Sequence, residues 1–141
     1  MREMDRDEVL RFLAEGTRTG MLATASPSGR PHVAPIWFVV DGDDLVFTTA
    51  KASVKGRNLA ANPRAALSVD VSEFPYDFAV VRGPVTVVEY PPDMLTWTTR
   101  TAERYVPAGR AEEYGRRNAA IDELLCRLRV ERLTGARDIA D

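Results

Sequence analysis

Cysteine and histidine are almost absent from this 141-residue chain, which has one of each, Cys126 and His32. A single cysteine excludes an internal disulfide and a cysteine metal cluster. A single histidine leaves no histidine-rich metal site. We therefore predict no metal site, and we interpret Cys126 as a small residue of the core.

Long hydrophobic runs are missing as well. No apolar stretch reaches the length that spans a bilayer, and residues 1–16 are charged and lack the apolar centre of a signal peptide. The net charge of −2 gives no indication of non-specific nucleic-acid binding. These absences lead us to expect a cytoplasmic protein without a nucleic-acid or membrane partner.

The remaining composition is ordinary, with 45% hydrophobic and 28% charged residues, and predicts one globular domain, residues 1–141. Apolar periodicity and capping residues predict helices at 5–16, 53–62, 91–106 and 108–123. Alternation and turn residues predict six strands, at 17–26, 32–41, 45–50, 64–71, 78–90 and 124–137. Tight turns join most strands, so we expect a mainly β antiparallel barrel with flanking helices. Pro35 cannot donate to a ladder, which predicts a bulge or a free edge there, and Gly83-Pro84 predicts a kink.

The segment 49–65 concentrates positive charge at the start of a predicted helix. Ser53 is a good N-cap, and the next residues have free backbone N–H groups at the positive end of the helix dipole. Lys55 adds a full charge, and Gly56 has no side chain that would block a ligand. A phosphate would be well bound there, with Lys51 able to close over it and Asn58 one turn beyond Lys55. The alternative is that the cations of this segment are solvated, as most are: Lys51, Lys55, Arg57 and Arg64.

The strand that begins near His32 is the second feature. A flat aromatic ligand would lie along it if it bulges at Pro35, next to Trp37. The alternative is a turn arginine at Arg30, a structural histidine and a core tryptophan. On the third helix, Trp97 and Arg104 lie seven residues apart, which places them on similar faces and within reach of a partner subunit; the alternative there is core packing and a solvent-facing arginine.

Two stretches, 19–49 and 51–70, together resemble the pyridoxamine 5′-phosphate oxidase-like split-barrel superfamily, and within it the deazaflavin (coenzyme F420)-dependent reductase branch. The shared pattern is "G-x-L-A-T", then "G-x-P-x-x-x-P-x-W", then "K-x-R-N-L-x-x-x-P-R". The resemblance covers about residues 17–70 and extends weakly to residue 89. It implies a six-stranded antiparallel split barrel that forms a homodimer with two cofactor sites at the subunit interface.

The resemblance also implies roles for individual residues. Lys55 and Asn58 match cofactor-binding positions, and Ser53 aligns with a position that is often basic. The strand against the tricyclic ring matches Val33, Ala34, Pro35, Ile36 and Trp37. Thr48 and Thr49 lie beside the phosphate or the ribityl chain, and Lys51, Arg57 and Arg64 are available to the polyglutamate tail of the deazaflavin.

The residues and the resemblance point to one hypothesis, a cytoplasmic oxidoreductase that passes a hydride from reduced F420 to an enone, quinone or tetrapyrrole-like acceptor. An FMN-dependent enzyme of the same fold is the alternative, as is a flavin- or deazaflavin-binding protein without turnover. Pyridoxamine phosphate itself is a less suitable substrate, because the chain lacks the C-terminal arginine and histidine motif of those oxidases. No residue is identified as catalytic, and the proton donor is left open between solvent and a side chain such as His32.

Overall fold

A computed structural model of the chain describes residues 1–141 and contains nine strands and four helices. In chain order the elements are β1 (Arg2–Glu3), α1 (Arg6–Ala14), β2 (Gly20–Ala25), β3 (Pro31–Ile36), β4 (Val39–Asp41), β5 (Asp44–Ala50), α2 (Val54–Ala61), β6 (Arg64–Val71), β7 (Asp77–Glu89), α3 (Met94–Tyr105), α4 (Ala111–Asn118), β8 (Glu123–Arg129) and β9 (Arg132–Arg137). None of the four helices has the length and apolar character needed to cross a bilayer.

All strand pairs are antiparallel, and the main order is β3-β2-β6-β7-β8-β5-β4, with β9 paired to β7 and β1 paired to β9. The long strand β7 joins the two halves of the sheet, because residues 77–84 pair with β6 and residues 85–89 pair with β8. The change of partner falls at the predicted kink. A Cβ on Gly83 would lie 1.7 Å from the carbonyl oxygen of Arg129, so only glycine fits the crossing. The sheet curls into a half-barrel, which confirms the predicted mainly β antiparallel split-barrel class.

The strand count is nine instead of the predicted six, because strands end where the chain changes partner. The predicted strand 32–41 ends at Ile36, where the chain leaves β2, and Val39–Asp41 pair with β5 instead. The predicted strand 124–137 is divided at residues 130–131, between pairing with β5 and pairing with β1. The third additional strand is the two-residue β1, which brings the count to nine.

Strand β3 lies at a free edge of the sheet, as one of the two alternatives for Pro35 predicted. Pro35 pairs in unbroken register with Met21, so the other alternative, a bulge, is wrong. An edge strand tolerates proline because one side of its backbone has no neighbouring strand to which an N–H group must donate a hydrogen bond.

The inside of the half-barrel is filled by one core cluster of 20 buried residues. Helix α1 covers this core with Val9, Phe12 and Leu13, all 0% exposed. Cys126 belongs to the same cluster, and burial raises the pKa of its thiol to about 12, so it is a packing residue and not a nucleophile. A smaller cluster packs α3 against the opposite face of β5. Strand β5 is therefore covered on both sides, which fixes its last residues at the site described next.

Candidate functional site

A cavity of about 470 Å³ opens where β3, β5 and the start of α2 meet, beside α3 and α4. Its volume is in the range that holds a small organic ligand. The lining residues are Thr19, Pro35, Ile36, Trp37, Thr48, Thr49, Ala50, Ser53, Lys55, Thr98, Thr101, Asn118 and Glu123. Seven of the eleven residues assigned to cofactor binding from the sequence are among them, while Lys51, Asn58, Val33 and Ala34 are not. The cofactor contacts of all eleven stay predictions.

Ser53 is the N-cap of α2, as its type predicts. Its Oγ accepts a hydrogen bond from the Gly56 N–H at 2.9 Å and donates to the Ala50 carbonyl at 2.8 Å. Thr49 Oγ1 lies 3.0 Å from the same Oγ, and since the Ser53 proton is already donated, Thr49 is the donor there. The Ser53 hydroxyl therefore positions the helix start and has no proton left for a ligand.

The backbone N–H groups of Val54 and Lys55 have no acceptor within the chain. They lie at the positive end of the α2 dipole, and the side chain of Lys55 lines the cavity beside them. Helix α2 has no acidic residue in its first turn to balance this charge. Two free donors and an ammonium group at one point suit a bound phosphate or carboxylate.

The role of Gly56 differs from the predicted one, which was to leave room for a ligand. A Cβ there would lie 2.2 Å from the carbonyl oxygen of Ala50 and 2.9 Å from that of Lys51, inside the protein. The glycine therefore lets α2 pack on the end of β5, and the idea that it keeps a path open for a ligand is wrong. Its effect on the site is indirect, because this packing sets where the free N–H groups point.

Lys51 and Asn58 make other contacts within the chain. Lys51 Nζ pairs with Glu89 Oε1 at 2.7 Å, and both side chains are well exposed, 60% and 69%. Asn58 is 7% exposed, and its Nδ2 donates to Thr24 Oγ1 at 3.1 Å. Asn58 thus fixes α2 to β2, and Lys51 lies at the rim of the barrel.

The aromatic wall of the cavity is formed by Trp37, which is 38% exposed. Its indole stacks on Tyr105 of α3, with ring centroids 5.1 Å apart and an interplanar angle of 4°. The Tyr105 hydroxyl donates to the Arg18 carbonyl at 2.9 Å and accepts from the Phe38 N–H at 3.4 Å, and burial raises its pKa. Further along β3, Val33 is 60% exposed and Ala34 is half-buried; His32 does not line the cavity either.

Arg104 fastens this wall to the rest of the protein. It donates to the carbonyls of Leu13 and Phe38 at 2.7 Å each and of Gly16 at 3.0 Å. Burial lowers its pKa. The five N–H donors of the planar, charged guanidinium suit several carbonyls at once. Trp97 is 7% exposed, with its Nε1 bonded to Asp93 Oδ2 at 3.0 Å. Trp97 therefore packs in the core, as one alternative predicted, and Arg104 does not simply face solvent; a contact of either residue with a partner subunit stays a prediction.

Sequence reasoning missed the part of the cavity formed by α3, α4 and β8. Two of those residues have their hydroxyls engaged: Thr98 Oγ1 donates to the Gly115 carbonyl at 2.7 Å and Thr101 Oγ1 to that of Trp97 at 2.8 Å. Glu123 differs, because its Oε2 is buried without a hydrogen-bond partner. Burial raises the pKa of Glu123, Asp122 raises it further and Lys55 lowers it. No local sequence signal marks Glu123, because it reaches the cavity through the β5–β8 register, in which it lies opposite Ala50.

An antiparallel half-barrel whose edge strand and helix start enclose one polar cavity defines the split-barrel class of cofactor-binding proteins. A family model described as pyridoxamine 5′-phosphate oxidase matches residues 6–136, and the chain belongs to this family, within the flavin- and F420-binding split-barrel superfamily. The resemblance found in the sequence is thereby confirmed.

Solved structures agree with this assignment. A protein described as an F420 reductase is 31% identical, with a TM-score of 0.70 over 87% of this chain and 94% of its own. A conserved hypothetical protein of Mycobacterium tuberculosis superposes with a TM-score of 0.83 at 22% identity, over 99% of this chain and 90% of its own. An FAD-binding protein of Mesorhizobium loti has a TM-score of 0.68 at 21% identity, over 95% and 93% of the two chains. The last two show the fold alone.

Proposed function

We propose that this protein is an oxidoreductase that binds coenzyme F420 and reduces a small conjugated acceptor such as an enone, a quinone or a tetrapyrrole-like compound. The observation that carries the proposal is that one cavity joins an anion-binding helix start to an edge strand with an aromatic wall. A phosphorylated ring system needs both. The 31% identity to a protein described as an F420 reductase supports the deazaflavin over other cofactors.

The residues of the chain divide the work of binding. The N–H groups of Val54 and Lys55, with the Lys55 ammonium, hold the phosphate, and Pro35–Trp37 lie against the ring. Thr48 and Thr49 line the path between these two ends. Lys51 at the rim exchanges Glu89 for a carboxylate of the polyglutamate tail. Reduced F420, when bound, supplies the hydride, and the protein supplies orientation and a fixed electrostatic environment.

The second candidate cofactor is a flavin such as FMN, which the likeness to an FAD-binding protein supports at the level of the fold. The decisive experiment is a fluorescence titration of the purified protein with F420 and with FMN, side by side. Tighter binding of F420 supports the first proposal, and tighter binding of FMN replaces it with the second. Stopped-flow oxidation of the bound reduced cofactor by an enone or quinone then separates an enzyme from a protein that only stores the cofactor.

Lys55 is the residue whose loss tests the phosphate position. We expect Lys55→Ala to weaken cofactor binding by about 1.5–3 kcal/mol, the range for a hydrogen bond to a charged group, which raises Kd by roughly ten- to a hundredfold. The matched control is Arg116→Ala, which removes an exposed cation of α4 whose only ion pair spans 4.0 Å. Unchanged affinity in Lys55→Ala, measured by the same titration, contradicts the proposed phosphate position.

We also propose that the protein is a homodimer with the cofactor sites at the subunit interface. The support is a surface that we call the outer face, formed by Met21, Ala23, Val33 and Pro35 on β2 and β3. Met21 is 40% exposed and Val33 60% exposed, and the register Met21↔Pro35 and Ala23↔Val33 places these residues side by side. Such a patch beside a ligand cavity is typical of an interface.

A further inference from the structure

Glu123 places an acidic group in a cavity that otherwise suits an anion. It is the first residue of β8, directly opposite Ala50 of β5, and lines the same cavity as Lys55. Its Oε2 is buried and has no hydrogen-bond partner. An orphaned buried carboxylate oxygen is unusual in a folded protein and calls for an explanation. Nothing in the proposed binding of phosphate or ring uses it.

The charged groups that face Glu123 leave its carboxylate only partly compensated. Lys55 approaches from α2, and Asp122 precedes it in the turn before β8. Lys51, at the end of β5, is already paired with Glu89 of β7, and the Cys126 thiol on the same strand is neutral. Lys55 is thus the one cation that opposes both Glu123 and any anion that enters the cavity.

We propose that Glu123 is a charge-selecting residue of the cofactor site, which disfavours a doubly charged phosphate monoester and accepts a singly charged phosphate diester. The inference rests on the proposed function and deepens it. With Glu123 ionised, its charge and that of Lys55 cancel, and the helix start contributes only about half a positive charge. A single negative charge is opposed by that half charge and by the free N–H groups of Val54 and Lys55, whereas a second negative charge meets no further positive group. The phosphate of F420 is a diester with one charge, whereas the monoester of FMN gains a second charge above a pKa of about 6.

A matched pair of ligands isolates this effect. FMN and its methyl phosphate ester share the ring and the ribityl chain, and only FMN can carry the second charge. At pH 8 we expect the wild-type protein to bind the methyl ester about tenfold more tightly than FMN, as one uncompensated charge at close range requires. Glu123→Gln keeps the size of the side chain and removes its charge. It should abolish the difference by tightening FMN, whereas Glu112→Gln, on the exposed face of α4, should leave the difference intact.

The failures of the two proposals are distinguishable in the same titrations. If wild-type protein binds F420 but binds FMN and the methyl ester equally at pH 8, or fails to bind either, the charge selection is overturned and the proposed function stands. If Glu123→Gln changes both ligands equally, the charge selection is also overturned. If F420, FMN and the ester all fail to bind, both proposals fall. Should Glu123→Gln not fold, the wild-type protein decides alone: the preference for the ester must shrink severalfold between pH 8 and pH 5.5, and a constant preference refutes the inference.

Discussion

Ser53 and Gly56 show how single residues prepare the site without touching a ligand. The Ser53 hydroxyl is fully engaged by Ala50, Thr49 and Gly56, so its contribution is to start α2 at a fixed place. Gly56 permits the contact between α2 and β5. The groups left free to bind an anion are the N–H groups of Val54 and Lys55 and the ammonium of Lys55, and these are positioned by the other two residues.

Gly56→Ala separates helix propensity from packing, because the two effects have opposite signs. In an exposed helix, alanine in place of glycine stabilises by about 1 kcal/mol. Here the new Cβ would lie 2.2 Å from a backbone carbonyl, and overpacking of that kind costs typically about 1–3 kcal/mol and occasionally more. Because the clash is with backbone atoms, we take the upper end of that range, about 3 kcal/mol. After the gain in propensity, the free energy of unfolding should fall by about 2 kcal/mol in urea denaturation.

The matched control for this change is Ala60→Gly on the exposed side of the same helix. Propensity alone should make it cost about 1 kcal/mol. If Gly56→Ala were instead more stable than the wild-type protein, the packing role of the glycine would be refuted, and the helix start could shift away from β5 at no cost.

At the level of residues, the sequence predicted the cap and missed the carboxylate. Ser53 before an apolar-periodic stretch is a local signal, and the cap was found where expected. Glu123 and Asn118 come from elements about 65–70 residues downstream of the cap. Their approach to Lys55 depends on β8 pairing with β5, a non-local contact that no short pattern in the sequence contains.

Among the elements, α3 holds the cavity wall in place through two consecutive residues, Arg104 and Tyr105. Arg104 reaches the end of α1 and the connection between β3 and β4 at three carbonyl oxygens. Tyr105, the next residue, stacks on Trp37 of that same connection. The aromatic wall therefore depends on an element that lies outside the sequence pattern of the site.

We expect Arg104→Met to lower the free energy of unfolding by about 2–4 kcal/mol, since the partly buried carbonyls of Leu13 and Phe38 lose their donor and such a loss costs about 1–3 kcal/mol each. Arg104→Lys should recover only part of this loss, because a compact ammonium cannot serve three carbonyls with the fixed geometry of a guanidinium. Arg116→Met, on the exposed face of α4, is the control and should change stability by less than about 0.5 kcal/mol. Equal effects of Arg104→Met and Arg116→Met in thermal unfolding would contradict this role.

The helices and strands were largely predictable from the sequence, but the points at which a predicted strand is interrupted were not. Each predicted helix has a counterpart in α1 to α4, because apolar spacing and end signals are local. The predicted strand 32–41 stays apolar across the break after Ile36. Phe38 and Val39 are buried although the chain stops pairing with β2 there and pairs with β5 from Val39 onward. A change of pairing partner leaves hydrophobicity unaltered, so the pattern gave no sign of it.

At the scale of the whole molecule, the outer face decides how two copies would meet. Strand β3 is an open edge, but Pro31 and Pro35 remove two donors from it, which weakens pairing with a strand of a second molecule. The apolar outer face on β2 and β3 has no such obstacle. A dimer should therefore form through the face of the sheet and not by adding a strand at its edge.

Light scattering at micromolar concentration should accordingly show a dimer, and Val33→Asp should convert it to a monomer, because a carboxylate buried in an apolar interface is costly unless it is paired. Val88→Asp is the matched control, since Val88 is similarly exposed, at 43%, but lies on β7 away from the outer face. If the cofactor sites lie at the interface, Val33→Asp must also weaken F420 binding while Val88→Asp does not. A monomeric wild-type protein would remove the composite site. If the dimer were unaffected by Val33→Asp, the interface would have to lie on another surface, because an apolar contact centred on Val33 would lose affinity on gaining a charge.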